Sequence, residues 1–344
     1  MPLAVASLFF LLAAASFFLP AAVDFSFAIV FLGAYTSPVS EDFLPLAVVH
    51  FWSVHFFKDF CVFMGKAPAN HMLEWHTELC TGVDTECLLG IGGPNTAILA
   101  PRGSAKSTVL GLFAAWMIGR HTAAKKMLRI LYIAYMVDIS RAKSATIKGI
   151  LTSNKYREVF PMVRLSKIKR SDEYWIIDYD FAGIDTAGEE AFTIACGGLK
   201  GAITSKRSQL VLIDDPIKSA ASINNPDIRR EMEQTWSNVI APTMFQGARA
   251  ICLGTRFHFD DIHATLFVPK NNWKQIVQKA VITDADGRQR SYWPEFWSMK
   301  YLNERKMEDR VAFAYQYLNT AVRNADVGIS PDLICKDVVP EDYD

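Results

Sequence analysis

The sequence predicts a three-layer α/β fold with a mostly parallel central sheet. Three observations lead there. From about residue 73 onward, short apolar runs rich in β-branched residues alternate with helical patterns. A Lys-Ser pair stands just behind the first of these runs, where a strand would turn into a helix. A later apolar run ends in two aspartates. Strands that are apolar throughout, rather than at alternate positions, belong to a sheet covered on both faces.

In chain order, residues 96–100 read as the first strand. Residues 107–120 read as a helix, because Val109, Leu110, Leu112, Phe113, Trp116 and Met117 recur at helical spacing. Residues 128–135 form a second strand, and Asp138 is placed to cap a helix running to about residue 151. Residues 174–179 and 191–196 look like a paired insertion of strands. Residues 210–213 are a fully apolar strand, 226–239 a helix with Asn225 as its cap, and 248–253 another apolar strand. Helices follow at about 260–267, 298–307 and 309–319. No internal repeat interrupts the pattern.

Composition bounds the function. The chain has 344 residues, room for two or three domains at about 100–200 residues each. Its 36 basic and 36 acidic side chains balance, so any contact with nucleic acid has to be local. At 51% hydrophobic and 21% charged residues it is not a disordered chain. Cys61, Cys80, Cys87, Cys196, Cys252 and Cys335 are scattered, with no Cys-x-x-Cys pair, which argues for reduced, buried thiols in a cytosolic protein.

The first 57 residues differ from the rest. They contain no Lys or Arg, and Asp24, Glu41 and Asp42 are their only charged side chains. Residues 2–23 are long enough to cross a bilayer. The positive start of a signal peptide and the flanking cations of an anchor are both missing. Three readings stand side by side: a membrane segment within residues 1–35, an apolar helix pair docked on the protein or a partner, or an extension outside the working domain. The division expected is an apolar extension over 1–57, the working α/β domain over 58–325, and a linker or the start of a further domain over 326–344.

Three segments carry chemistry. The first is Ala100, Pro101, Arg102, Gly103, Ser104, Ala105, Lys106, Ser107 and Thr108, between the first strand and the first helix. A strict phosphate loop has glycine where Ala100 and Ala105 stand, but Lys106 and Ser107 are in register. Backbone N–H groups and the helix amino terminus would cradle phosphates there, Lys106 would reach the β and γ phosphates, and Ser107 would ligate Mg²⁺. Second, the strand at 210–213 runs into Asp214 and Asp215, placing carboxylates at the carboxyl edge of a parallel sheet, where ligands bind. Asp214 would hold Mg²⁺ and Asp215 would polarise the attacking water. Third, the strand at 248–253 leads into Gly254, Thr255, Arg256, Phe257, His258, Phe259, Asp260 and Asp261. Thr255 at that strand end is placed to sense the γ phosphate. His258 and His263 have the wrong spacing for a zinc pair, so His258 reads as packed or hydrogen-bonded.

Taken as an ordered trio, these segments resemble the ATPase half of the large terminase subunit of tailed bacteriophages, over about residues 73–319. That family's phosphate loop is itself deviant, with Arg before the Gly and often Ala before the Lys. Where it often has Trp-His-Glu, this chain has Phe257, His258 and Phe259. The resemblance implies a P-loop NTPase of the additional-strand, terminase/RecA-like type, with ATP and Mg²⁺ as cofactors. It implies a motor that threads double-stranded viral DNA into a procapsid in the host cytoplasm. Its partners would be the portal protein, the small terminase subunit and further copies of itself. Arg102 would join Lys106 in neutralising charge. Arg207 is the candidate for an arginine finger offered to a neighbouring subunit, its bland reading being a solvated basic loop. Arg164, Lys167, Lys169 and Arg170, with Lys200, Lys206 and Arg207, are candidate contacts to DNA phosphates. The family usually continues into a nuclease; the residues after Asn319 read as too short for one, so no DNA cleavage is expected from this chain alone.

Two other readings stand beside this one. The loss of loop glycines and Asp for the usual Glu at Asp215 also suit a degenerate nucleotide-binding or membrane-attached interaction protein with little turnover. A helicase-like ATPase would need motifs after the third strand that are not evident.

Overall fold

The computed structural model describes residues 56–66, 93–199 and 206–320, together with Ser53, Trp75 and Leu79. Nearly all of the apolar extension, the acidic tail after Thr320, Lys200 and the cysteines Cys80, Cys87 and Cys335 lie outside the described residues. Cys61, Cys196 and Cys252 are free and buried, as expected of them. Among the described residues, no helix is long and apolar enough to cross a membrane.

Helix α1 (Phe57–Phe63) precedes β1 (Asn95–Leu99), α2 (Lys106–Ala123), β2 (Ile130–Ala134), α3 (Val137–Thr152), α4 (Asn154–Val159), β3 (Leu165–Arg170), β4 (Tyr174–Ile177) and α5 (Tyr179–Ala182). Then come β5 (Ile194–Gly198), β6 (Ser208–Asp214), α6 (Pro226–Thr235), β7 (Met244–Gly254), α7 (Ile262–Thr265), β8 (Trp273–Val277), β9 (Val281–Thr283), β10 (Gln289–Ser291), α8 (Met299–Glu308) and α9 (Arg310–Gln316). Eight strands form one sheet in the order β3-β4-β5-β2-β6-β7-β1-β8. From β5 to β8 every pairing is parallel; β3–β4 and β4–β5 are antiparallel. The strand before the phosphate loop, β1, and the strand ending in Asp214, β6, are not neighbours, because β7 lies between them. That inserted strand is what the additional-strand expectation requires.

Burial explains which strands were recognisable. Residues of β2 are all buried, as are those of β6 except Gln209, and the two faces of the sheet carry separate apolar cores. Helix α2 is buried almost all round: the sheet covers one side, and α1 sets Phe57 on Phe113 and Trp116 at 5.4 and 5.5 Å on the other. A third small core joins Tyr292, Trp297, Leu302 and Phe313 beside the phosphate loop.

Several expectations are corrected. Asp138 does not cap α3; the N-cap is Met136, and Asp138 sits in the first turn paired with Arg141 at 2.9 Å. The expected strand pair at 174–179 and 191–196 is antiparallel, with Trp175 opposite Ile194, but β5 is no insertion: it also pairs parallel with β2. The insertion is β3 and β4; half of β3 is cationic and most of it is exposed, so no apolar run marks it as a strand. Asn225 does cap α6, its side chain accepting from the Asp227 N–H at 2.8 Å; the helix then loosens into a π turn over Trp236–Ile240. The helix expected at 260–267 is a single turn, with Asp261 as its cap.

Candidate active site

The loop after β1 takes a conformation its sequence resists. Gly103 has φ +84° and Ala105 φ +61°, so the second left-handed position falls on an alanine. The Ser104 hydroxyl donates to the Pro101 carbonyl at 2.6 Å and tightens the turn. Ala105 is the N-cap of α2, and no side chain caps that end. The first N–H groups of a helix lack intrahelical partners, so this uncapped end is a ready anion site. Thr108 is exposed in its first turn.

Lys106 is the centre of the site. It is buried, and its ammonium donates to Thr255 Oγ1 at 2.8 Å and to the carbonyls of Pro101 and Ala100 at 3.2 and 3.3 Å. Asp215 Oδ1 lies 3.7 Å away. Burial lowers the Lys106 pKa, while Asp215 and then Asp214 act to raise it. Thr255 in turn donates to the Ala100 carbonyl at 3.1 Å, so the ends of β1 and β7 are joined through one hydroxyl and one ammonium.

The acidic strand end divides its labour. Asp214 is buried; its Oδ1 accepts from Ser107 Oγ at 2.8 Å and its Oδ2 from the Tyr132 hydroxyl at 3.0 Å. Burial first, then the neighbouring Asp215 carboxylate, raises its pKa. Asp215 leaves the strand at φ +43°, with its N–H held by the Leu253 carbonyl at 2.8 Å. Its Oδ1 is shielded from solvent and has no hydrogen-bond partner. A backbone in this region costs about 1–2 kcal/mol in a residue with a Cβ, and it re-aims the carboxylate toward Lys106.

The turn after β7 is organised by a residue that sequence reasoning gave no role. Asp261 pairs with Arg256 at 3.0 Å and accepts from the N–H groups of Phe257, His258 and His263. An Asp just before a helical pattern is an N-cap signal, and that signal was present. His258 is hydrogen-bonded as expected: its Nδ1 accepts from the Asp260 N–H at 3.0 Å. Tyr132 was missed as well. Its position in a fully apolar strand hid the hydroxyl that anchors Asp214.

Arg102 is exposed on the loop, and its backbone N–H donates to the Gln316 carbonyl at 2.9 Å, tying the loop to α9. A Cβ on Gly103 would stand 3.4 Å from Trp297. The carboxyl-terminal aromatic cluster therefore flanks the loop closely. Arg207 is not brought to this site. It is exposed just before β6 starts, 5.9 Å from the Phe245 ring, at the opposite sheet edge from Asp214.

No family model matches the chain, and no curated protein matches it. Among solved structures, the ATPase domain of the large terminase of Thermus phage P74-26 is similar at 15% identity and TM-score 0.47, over 76% of this chain and 98% of that one. The HK97 bacteriophage large terminase is similar at 14% identity and TM-score 0.46, over 79% and 55%. The large terminase of a thermophilic bacteriophage, in complex with ATP-γ-S, follows at 10% identity and TM-score 0.41, over 72% and 52%. The chain thus spans about half the length of these last two proteins. At this level of likeness, a functional reading has to rest on the geometry of the site itself.

Proposed function

We propose that this chain hydrolyses ATP as the motor subunit of a phage terminase, moving double-stranded viral DNA into a procapsid in the host cytoplasm. One observation carries the ATPase part: Lys106, Thr255, Asp215 and the Ser107–Asp214 pair converge at the carboxyl edge of a parallel sheet, around an uncapped helix end. The motor part rests on the ordered trio of motifs and on the inserted strand between β1 and β6. Portal protein, small terminase subunit and further copies of the chain are its proposed partners.

In this reading the α2 N–H groups and Lys106 hold the phosphates, and Arg102 adds charge from the loop surface. The Ser107 hydroxyl and the Asp214 carboxylate fit Mg²⁺, being two hard oxygen donors already 2.8 Å apart. Mg²⁺ supplies neutralisation of phosphate charge when bound. Asp215 Oδ1, shielded and without a hydrogen-bond partner, orients the attacking water, and Thr255 couples β7 to the nucleotide state through Lys106. Arg207 is proposed to act on a neighbouring subunit's nucleotide, which suits its absence from its own site.

The test is ATP turnover by the purified chain, alone and with portal and DNA. Wild-type turnover that needs Mg²⁺, stops on chelation and is lost in Asp214→Asn is the expected result. In Lys106→Ala the loss should be on the order of 10²–10³-fold, about 3–4 kcal/mol of transition-state stabilisation. Nucleotide binding without turnover in the wild type would instead favour a non-hydrolysing binding protein.

A further inference from the structure

The whole chain is electrically neutral, but residues 141–170 hold nine Lys and Arg against one acid, Glu158. The fold gathers part of this excess around a cavity of about 770 Å³ between α3, α4 and the β3–β4 hairpin. Lys148, Arg157, Arg164 and Arg170 line it, above a floor that includes Val163 and Trp175, and no carboxylate is among its lining residues. Lys148 pairs with Asp172. Arg164 lies 3.6 Å over the Phe181 ring, a contact that steadies the guanidinium without neutralising it. Arg170 Nε donates to the Ser166 carbonyl at 2.6 Å. Among the described residues no ion pair engages Arg157, Arg164 or Arg170.

Beside the cavity, β3 is an outer strand of the sheet and exposes Lys167 and Lys169. Cations on an outer strand commonly serve only to prevent edge-to-edge pairing. That account does not reach Lys148 on α3 or Arg157 on α4, which come from other elements to the same cavity. Leu165 and Arg170 pair with β4 residues only two apart, so the segment between them bulges outward and adds the exposed Lys167 and Lys169 to the cations of the cavity, more charge than one small anion needs. Counting six strand spacings from β1 to β3, the surface lies roughly 29 Å from the phosphate loop.

We propose that this cavity and the adjoining edge strand form a docking surface for a nucleic-acid backbone. The proposal rests on the reading that the chain acts on DNA, and it assigns the residues that hold the duplex by its phosphates. Such contacts give affinity without sequence preference and a steep dependence on salt.

The test uses the full chain without nucleotide and a labelled random-sequence duplex, with anisotropy read from about 50 to about 200 mM salt. The Arg157→Gln, Arg170→Gln pair should bind about tenfold or more weakly and lose about two from the salt slope. The Arg157→Lys, Arg170→Lys pair should keep the slope, and Arg288→Gln, on the distant β9–β10 turn, should change nothing. Basal ATPase, measured in parallel, stays at the wild-type level in all variants. Equal affinity and slope in the Gln pair and the wild type overturn the proposal. So does a wild type that hydrolyses ATP but binds no duplex, an outcome that leaves the ATPase reading standing. Gln-sensitive duplex binding by a chain that turns over no ATP supports the surface and overturns the ATPase reading. Gln-sensitive binding of polyglutamate in place of DNA would mark an acidic protein as the occupant and overturn the proposal.

Discussion

At the scale of single residues, the site concentrates unfavourable backbone and unfavourable burial at a few positions. Ala105 holds φ +61° where glycine would be free. Ala105→Gly removes a cost of about 1–2 kcal/mol but widens the unfolded ensemble, so a net gain of up to about 1 kcal/mol is expected, read from the midpoint of chemical denaturation. No gain would mean that the loop relaxes out of this conformation in solution. Asp215 gives a sharper test. Asn tolerates a left-handed backbone about as well as Asp, so Asp215→Asn keeps the local fold and removes only the charge. Nucleotide should still bind, while turnover falls by about 10²–10⁴-fold. Undiminished turnover would place the catalytic carboxylate elsewhere, with Glu231 and Glu233 on α6 the next to substitute. Lys106, Ser107, Asp214 and Asp215 were legible in the sequence because each lies in a short, spaced pattern next to a strand. Tyr132 was not, because its partner Asp214 is 82 residues away and only the β2–β6 pairing brings them together. Asp261 was given no role either, since its hold on Arg256 depends on a turn that no periodicity encodes.

At the scale of elements, what was legible follows burial. The parallel strands β1, β2, β6 and β7 carry unbroken apolar runs, so each was recognisable in isolation. Strand β8, at the sheet edge, buries Trp273 and Ile276 three residues apart with Lys274 and Val277 exposed, which is no period-two pattern, and the three-residue strands β9 and β10 are shorter than any pattern test. Close approach between elements is set by glycines rather than by the periodic residues. Gly119, toward the carboxyl end of α2, faces the Phe160 ring so closely that a Cβ would sit 2.4 Å from its nearest atom. Glycine to alanine in a helix interior ordinarily stabilises by about 1 kcal/mol. Here the sign should reverse, and Gly119→Ala should cost about 1–3 kcal/mol through overpacking. Equilibrium unfolding in urea decides the sign, and a stabilised variant would show that α4 can move away from α2. Gly198 is less forgiving, because its Cβ would meet backbone, the Val137 N at 2.7 Å, which no rotamer change relieves.

At the scale of the whole molecule, two buried histidines tie stability to pH. His121 is buried in α2 with Nδ1 2.9 Å from the Met117 carbonyl and Nε2 without a partner. His263 is buried beneath the end of β7, and neither ring nitrogen has a partner. Burial pushes both down from 6.5 to about 4. In the unfolded chain these side chains take up protons near pH 6.5, whereas in the folded chain they resist until about pH 4. The unfolded state therefore binds more protons across that window, and the stability present above about pH 6.5 is lost as pH falls through it. At pH 5 the loss is about 2 kcal/mol for each histidine, a large fraction of a typical domain's 5–15 kcal/mol. Asp214 works in the opposite direction: burial raises its pKa, so its protonation on acidification relieves a buried charge. Burial raises the Asp59 pKa as well, so removing one histidine is what separates the histidine loss from these carboxylates. Urea unfolding at about pH 7.5 and about pH 5 should show a marked loss in acid. His263→Leu fills the same apolar space without a titrating group, so its loss between the two conditions should be smaller by about 2 kcal/mol. An unchanged pH dependence in that variant would show that His263 gains a proton in the folded chain as readily as in the unfolded one, with solvent reaching the ring beneath Gly254.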